Sequence, residues 1–394
     1  MKAVNEQLFD PEIRAKAQAY HRAKNLHRCL GLLYVILFTV AVFCTPLARN
    51  LSTTIGDYGW RPALYLVVIA ALFSVGNALI DYFAGYCVQR RFGLSVQTPG
   101  SWLGDKLKSF LMLLVLLVPL LLLLRTILIK APSYWWLFAG IFYVLISVLL
   151  VNLSPVLIMP LFYKFTPLKD EQLKAQLEHL FAKTGSGIRG VYEMNMSSKT
   201  NAANAMITGT GHTRRMVLGD TLLSAFTADE IEAVMAHELA HHNFRHMPKI
   251  LLLNSLIGIF SFWALSLIAP YVAKWLGYVN VTDPAFLPML MIITVMIMAL
   301  LDPLSNWYIR TLERQCDRYA VEVTGKPEAF IGAMARLADR NLSVLNVSPL
   351  EYVIYWDHPT IGQRIVFAES YEDFKGESPK GLEGSKGFDQ GLNR

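Results

Sequence analysis

The stretch PAFLPMLMIITVMIMALL, residues 284–301, runs for eighteen residues without an Asp, Glu, Lys or Arg. A helix needs roughly 20 apolar residues to cross the hydrocarbon core of a bilayer. Five further stretches also lack all four charged residue types: Leu30–Ala48, Pro62–Ile80, Ser109–Leu124, Ala131–Tyr163 and Ile250–Ala273. The sequence therefore predicts six transmembrane helices in a lipid bilayer.

The overall composition agrees with a membrane protein. Charged residues make up 17% of the chain, against roughly 25% in soluble domains. A soluble protein with a large core would share this value, but apolar residues in long charge-free blocks favour the membrane. The four cysteines are far apart and indicate neither a disulfide framework nor a thiolate metal site. The net charge of +6 gives little information about nucleic acid. The positions of the basic residues are more useful for topology, and we expect no nucleic-acid partner.

Basic residues mark one side of the membrane. They cluster before the first span and between the second and third, at Lys2, Arg14, Lys16, Arg22, Lys24, Arg28, Arg90, Arg91, Lys106 and Lys108. With six spans, the positive-inside rule places both termini and the segment Lys164–Lys249 on the cytoplasmic side. No cleavable signal peptide is visible, and the first span is expected to direct insertion. The membrane would be the endoplasmic reticulum in a eukaryote, or the inner or plasma membrane in a prokaryote.

The segment between the fourth and fifth spans has mixed composition and predicts a small folded unit. Asp170–Lys183 has helical periodicity and Gly190–Met196 alternates like a strand. Ala205–Thr208 and Arg215–Leu218 predict a hairpin around Gly209-Thr210-Gly211. A further helix is expected to begin at Thr227, where Thr-Ala-Asp-Glu fits a capping box.

That helix carries His237-Glu238-Leu239-Ala240-His241. Two His at i and i+4 project from one helical face, so both imidazoles can bind one zinc ion. Glu238 lies beside the metal and can take a proton from the attacking water and pass it to a leaving amine. The same five residues could also form an ordinary solvated helix face.

A catalytic zinc site needs a third protein ligand. A third His six residues after His241 would be one solution, but Met247 occupies that position. Glu313 and Asp317, four residues apart after the last span, lie on one helical face. Glu313 is predicted to bind zinc while Asp317 accepts the second N–H of a ligand His. Alternatively, Glu313 pairs with a neighbouring arginine on a charged surface.

These motifs together resemble the type I CAAX prenyl protease family, over most of the chain from about Asp10. The first is the family's H-E-L-x-H-x-x-x-x-H form, ending at His246, and the second is Glu313-x-x-x-Asp317 followed by Arg318-Tyr319-Ala320. The others are Ser198-Lys199-Thr200 leading to Asn204-Ala205, the run Met216–Leu223, and His358-Pro359-Thr360-Ile361 with Arg364.

The resemblance implies further roles. Asn204 and Ala205 would belong to an edge strand that pairs with an extended substrate. His358 and Arg364 would stabilise the oxyanion of the tetrahedral intermediate. His246 is expected either near the site or on the surface.

The family fold is a ring of helices around a water-filled intramembrane chamber. Polar residues in or near the spans would line it, or else bond between helices: Asp81, Asn152, Asn254 and Asp302. Family members commonly have seven spans, and the first is expected to be missing here.

We therefore predict a mainly α, polytopic membrane bundle with a small α+β catalytic subdomain. Residues 1–163 would form a membrane domain with four spans. Residues 164–374 would form a zinc peptidase domain with two more, and 375–394 a disordered tail. The expected activity is that of a zinc endopeptidase with one Zn²⁺ per chain, cleaving peptides or proteins that are possibly prenylated. Two alternatives remain: a quality-control protease for membrane proteins, and a divalent-ion transporter or channel.

Overall fold

The computed structural model describes residues 8–188, 190–209 and 214–376. In the first half of the chain the helices are α1 (Pro11–Phe43), α2 (Leu47–Ile55), α3 (Arg61–Ile80), α4 (Cys87–Arg91), α5 (Pro99–Lys130), α6 (Trp135–Leu153) and α7 (Glu171–Thr184). The later helices are α8 (Asp220–Leu223), α9 (Ala228–Asn243), α10 (His246–Trp275), α11 (Leu287–Thr324), α12 (Pro327–Arg340), α13 (Pro349–Tyr355) and α14 (Ile361–Gly376). Four strands form one sheet: β1 (Phe165–Pro167), β2 (Val191–Met194), β3 (Ala205–Thr208) and β4 (Arg215–Gly219).

Six helical stretches are long and apolar enough to span a membrane, and each overlaps one predicted span: α1, α3 with α4, α5, α6, α10 and α11. The chain is thus an integral, multi-pass membrane protein, and the predicted fold class is confirmed. The proposed division at residue 163 stays a prediction. Of the tail predicted to be disordered, residues 375 and 376 end α14, and the remainder lies outside the described residues.

The first span differs from its predicted bounds at both ends. It was expected to continue to Ala48, but α1 ends at Phe43 and α2 begins after Pro46. Proline has no backbone N–H to continue a helical ladder, so the chain turns there. At its other end α1 begins at Pro11, capped by the Asp10 side chain, so a polar half precedes the apolar half.

Two of the polar residues predicted in or near the spans, Asp81 and Asn254, contact side chains of other helices. Asp81 Oδ2 lies 2.5 Å from Lys106 Nζ on α5. Ser305 of α11 donates to Asn254 of α10 at 3.2 Å, whereas Asn152 bonds to Val148 O within its own helix. A cavity of about 180 Å³ between α5, α6, α10 and α11 has an apolar lining. The contacts at Asp81 and Asn254 therefore support the interhelical role.

The sheet has the order β1-β2-β4-β3, which leaves β3 at an edge. The predicted pairing of β3 with β4 is confirmed, with Ala205 opposite Leu218 in an antiparallel register. Residues 210 and 211 of the predicted turn lie outside the described residues. The parallel pairing of β2 with β4, and β1 itself, were not predicted. Both depend on partners distant in sequence.

One apolar core joins the sheet to the helices around it. Its fully buried members include Leu177 of α7, Met235 of α9 and Phe330 of α12. The C-terminal half of α11 enters the same core through Ala320 and Val321. Each large apolar side chain buried in this way contributes about 1.5–3 kcal/mol. The core therefore holds the last span and the α9 helix against each other.

Helices α6 and α10 approach closely at two glycines. A Cβ on Gly258 would lie 2.2 Å from Cε1 of Tyr143, and a Cβ on Gly140 would lie 3.3 Å from the Cα of Ile259. Small residues allow such close backbone approach between membrane helices.

We expect Gly258→Val to lower the thermal unfolding midpoint in detergent, because the added side chain forces α6 and α10 apart at about 1–3 kcal/mol. Gly31→Val in α1 is the matched control, since nothing lies within 4 Å of its Cβ. Equal midpoints for the two variants would contradict packing through Gly258.

Candidate active site

The helix α9 is held in place at its start and along one face. Thr227 Oγ1 accepts from Glu230 N at 3.3 Å, and Thr227 N donates to Glu230 Oε2 at 2.8 Å, which confirms the capping box. Met235 and Leu239 are fully buried in the apolar core that joins the sheet to the surrounding helices. The opposite face presents His237 and its neighbours towards α11.

His237 and His241 meet the carboxylate of Glu313. Oε2 of Glu313 lies 3.2 Å from Nε2 of His237, and Oε1 lies 3.1 Å from Nε2 of His241. Glu313 is only 2% exposed, and its Oε2 is buried without a hydrogen bond of good geometry among the described residues. Ligand atoms placed tetrahedrally at 2.0–2.1 Å from zinc lie roughly 3.3 Å apart. The separations of these atoms therefore fit a shared zinc ion.

The charges of the site also fit a divalent cation. Glu238, Glu313 and Asp317 contribute three carboxylates, and Arg364 contributes one guanidinium, so two negative charges remain. Burial and the Arg364 charge lower the pKa of His237, but Asp317 and Glu313 outweigh them and raise it to about 9. An imidazole with so high a pKa lies where positive charge is stabilised, and a metal ion supplies that charge.

Asp317 connects His237 to Arg364. Its Oδ1 lies 2.9 Å from Nδ1 of His237 and 2.6 Å from Nη2 of Arg364. The guanidinium also approaches His237 Nδ1 at 3.2 Å. The family resemblance implies an oxyanion role for Arg364, and in the structure its side chain contacts Asp317 and, through it, orients the His237 ring. A carboxylate behind a ligand His orients the ring in this way.

A cavity of about 480 Å³ gathers the remaining predicted residues. Its lining includes Asn204, Ala205, Glu238, His358 and Arg364. His358 Nε2 lies 3.4 Å from Glu313 Oε1, and its Nδ1 lies 2.7 Å from Asp357. Glu238 is half-buried, and burial raises its pKa. The structure thus places every predicted site residue in or directly behind one cavity.

The sequence left the place of His246 open between the site and the surface, and it did not predict the contributions of Arg245 and Asn341. His246 is fully buried, and its Nδ1 lies 3.2 Å from Nδ1 of His241. Arg245 adopts a left-handed conformation with φ of 54°, which turns the chain between α9 and α10 and places His246 against His241. Asn341 bonds both the N–H and the C=O of Ala203, at 2.8 and 3.1 Å, and so holds the start of β3. The sequence signal for His246 was its place at the end of the H-E-L-x-H-x-x-x-x-H pattern, whereas Asn341 gave none.

Cys316 is a second candidate for the third ligand position. Ligand atoms of His237, His241 and Cys316 all lie within 4.8 Å of one another. The thiol is buried and lies 3.4 Å from His246 Nδ1, an atom that lies 3.2 Å from His241 Nδ1, whereas Glu313 contacts His241 at Nε2. A carboxylate between the two Nε2 atoms is the better placed ligand.

Comparisons with known proteins agree with this geometry. Residues 167–372 match Peptidase family M48, and residues 2–164 match a family described as "CAAX prenyl protease N-terminal, five membrane helices". An uncharacterized metalloprotease, YhfN of Bacillus subtilis, is 30% identical over 380 residues, covering 92% of this chain and 87% of that protein. CAAX prenyl protease 1 of Saccharomyces cerevisiae is 29% identical over 321 residues, covering 76% and 70%.

A solved structure has the same fold. The crystal structure of S. mikatae Ste24p superposes with a TM-score of 0.80 and 26% sequence identity, covering 92% of this chain and 90% of that one. The resemblance drawn from the motifs is confirmed by these matches.

Glu313→Gln and Cys316→Ala distinguish the two candidates for the third ligand. We expect Glu313→Gln to lose most of the bound metal, because a neutral amide is a weaker zinc ligand than a carboxylate. Cys316→Ala should keep one metal ion per chain. Elemental analysis of the purified proteins measures both, and the reverse pattern would assign the ligand to the thiol.

Proposed function

The chain belongs to peptidase family M48 and is an integral-membrane metalloprotease, and from this premise we propose a zinc endopeptidase with His237, His241 and Glu313 as the metal ligands. The observation that carries the proposal is the convergence of two Nε2 atoms and one carboxylate, from α9 and α11, within 3.1–3.2 Å. An ion-conducting protein would need no half-buried carboxylate next to the ligands and facing a cavity, so the transporter alternative is not favoured.

A bound zinc ion would act as a Lewis acid on the scissile carbonyl and make water more acidic. Glu238 lies next to His237 in sequence and faces the cavity. It would take a proton from the attacking water and donate it to the leaving amine. Its burial-raised pKa suits both transfers, because the protonated form is less costly there than in water.

His358 would donate to the oxygen that becomes negative during attack. Asp357 accepts from its Nδ1 at 2.7 Å, and in the protonated imidazole Nε2–H is a second donor. Burial lowers the pKa of His358, but Asp357 and Glu313 outweigh it and raise it, which favours the donor form. Arg364 is a positioning residue in this proposal, since it acts on His237 through Asp317.

The edge strand would hold the substrate. β3 pairs with β4 on one side and lies at the edge of the sheet, and Asn204 and Ala205 line the cavity. An extended peptide can add to such an edge through main-chain hydrogen bonds. This arrangement suits an endopeptidase, because the backbone rather than a chain end is bound.

The positive-inside distribution of charge supports a cytoplasmic active site. The membrane would be the endoplasmic reticulum in a eukaryote and the inner or plasma membrane in a prokaryote. An active site on the cytoplasmic side would reach protein segments that leave the membrane on its cytoplasmic face.

We expect Glu238→Gln to reduce kcat by about 10²–10⁴-fold, because the proton-transferring group is lost, while bound metal is retained. Glu232→Gln on the same helix is the matched control, since that carboxylate pairs with Lys326 at 2.6 Å and lies outside the cavity lining described above. Peptide cleavage and metal content are measured on both proteins. Full cleavage by Glu238→Gln would exclude the proposed mechanism.

The substrate is proposed to be a prenylated protein with a CAAX end, as the name of the Saccharomyces cerevisiae relative says of that protein. The Bacillus subtilis relative is named only as a metalloprotease, so a role in degrading misfolded membrane proteins is the second candidate.

A prenylated CAAX peptide should be cleaved with a higher kcat/KM than the same peptide without its lipid, because the isoprenoid adds apolar surface to bury. A misfolded, unlipidated membrane protein is tested in parallel. Preference for the unlipidated protein would favour the quality-control role.

A further inference from the structure

The apolar cavity between the membrane helices lies far from the catalytic cavity. It has a volume of about 180 Å³ and is lined by side chains of α5, α6, α10 and α11. Thr294 of its lining and Glu313 both belong to α11, and the nineteen residues between them correspond to about 28 Å along the helix. The reaction proposed above therefore does not use this cavity.

The depth of the cavity matches one leaflet of a bilayer. Along α5 its lining extends from Leu120 to Ile127, and the helix ends at Lys130. The ten residues from Leu120 to Lys130 rise about 15 Å, which is half of the roughly 30 Å hydrocarbon core. From the end of α5, the cavity thus reaches to about the middle of the membrane.

The neighbouring helices place the cavity in the leaflet opposite to the metal ligands. α10 begins at His246 beside those ligands, and its far end leads into a loop where Thr282 O accepts from Arg125 Nε of α5 at 2.9 Å. The ends of α5 and α10 therefore lie at the same, opposite surface. Phe262 lines the cavity eleven residues before Ala273, where the charge-free stretch ends, and this rise of about 16 Å gives the same depth.

The lining has the chemistry of a site for hydrocarbon. Leucine, isoleucine and phenylalanine side chains supply most of it, and the hydroxyl of Thr294 already donates to Leu290 O within its own helix at 2.8 Å. A cavity of about 150 Å³ with a similar lining stays dry and binds small apolar ligands. An empty space would forfeit the dispersion contacts of its walls. The expected occupant is therefore apolar.

The cavity is open to the surroundings of the spans. Met291 and Val295 of α11 line it and are also exposed, by 39% and 55%. At this depth the medium around the helices consists of acyl chains. Lys130 is exposed and lies three residues after Ile127, next to it on the helix surface. An ammonium group at the end of a span attracts the phosphate of a lipid.

We propose that this cavity binds one acyl chain of a phospholipid from the leaflet opposite to the metal site, with the lipid phosphate at Lys130. The chain would follow α5 from Lys130 to Leu120 and pack against α6, α10 and α11. An isoprenoid on a bound substrate would have to extend about 28 Å from Glu313 to reach the same space, whereas an acyl chain enters from the nearer surface.

The test uses the full-length protein in phosphatidylcholine vesicles that contain a small fraction of the same lipid with a diazirine midway along one acyl chain. The protein is extracted into detergent before irradiation, so that only retained lipid is cross-linked. Mass spectrometry of the peptides then locates the adducts. We expect them in residues 120–127, 139–146 and 291–295, which contain the cavity lining of α5, α6 and α11.

Thr294→Phe should reduce these adducts roughly tenfold, the factor expected when about two buried CH₂ groups of the lipid are displaced. Thr126→Phe is the matched control. Thr126 is exposed on α5 outside the lining, and its hydroxyl also donates to the carbonyl four residues earlier, at 2.9 Å. This variant should keep the adducts.

A second pair of variants tests the headgroup. Lys130→Gln should reduce the adducts about fivefold, because one cation near the lipid phosphate is lost. Lys274→Gln removes an exposed cation from the end of α10 at the same surface, away from the lining, and should leave them unchanged. The unfolding midpoint shows whether each variant is folded, and if Thr294→Phe does not fold, the Lys130 and Lys274 pair decides.

The outcomes separate lipid from substrate. A peptide with a diazirine in its isoprenoid is the second probe, and adducts in the cavity from this peptide but not from phospholipid would overturn the lipid assignment. Equal phospholipid adducts in Thr294→Phe and Thr126→Phe, or adducts spread evenly over all six spans, would overturn it as well. None of these measurements depends on peptide cleavage, so the peptidase proposal stands or fails separately.

Discussion

The contact of one buried carboxylate with two imidazoles constrains the rest of this molecule. Glu313 is almost fully buried and lies between His237 and His241. An ionised carboxylate is costly to bury unless it is paired or bound to a metal. The two imidazoles lie on α9 and the carboxylate lies on α11, so their contact requires these helices to stay packed. The apolar core around Met235 and Leu239 provides that packing.

The same contact joins two of the candidate membrane spans to the site residues. Helix α11 begins as the last span and ends beside α9 with Glu313 and Asp317 on its inner face. At the other end of α9, the left-handed Arg245 starts the fifth span and directs His246 back to His241. Both helices that continue from the site, α10 and α11, are long and apolar enough to span the membrane.

The cavity is assembled from parts far apart in sequence. α1 contributes its polar half, β3 contributes a sheet edge held by Asn341, and the loop after α13 contributes His358. Arg364 of α14 adds the pair with Asp317 that orients His237.

The amino-acid sequence by itself determined the six spans, the capped α9 helix and the residues of the H-E-x-x-H and Glu313-x-x-x-Asp317 motifs. These features depend on local periodicity and on residue type, which a single chain displays directly. Only the tertiary structure decided that Arg364 binds Asp317, that β2 runs parallel to β4, that Asn341 holds Ala203, and that α1 lines the cavity. Each of these depends on a partner many residues away, and the position of that partner is set by the packing of the apolar core rather than by any local pattern.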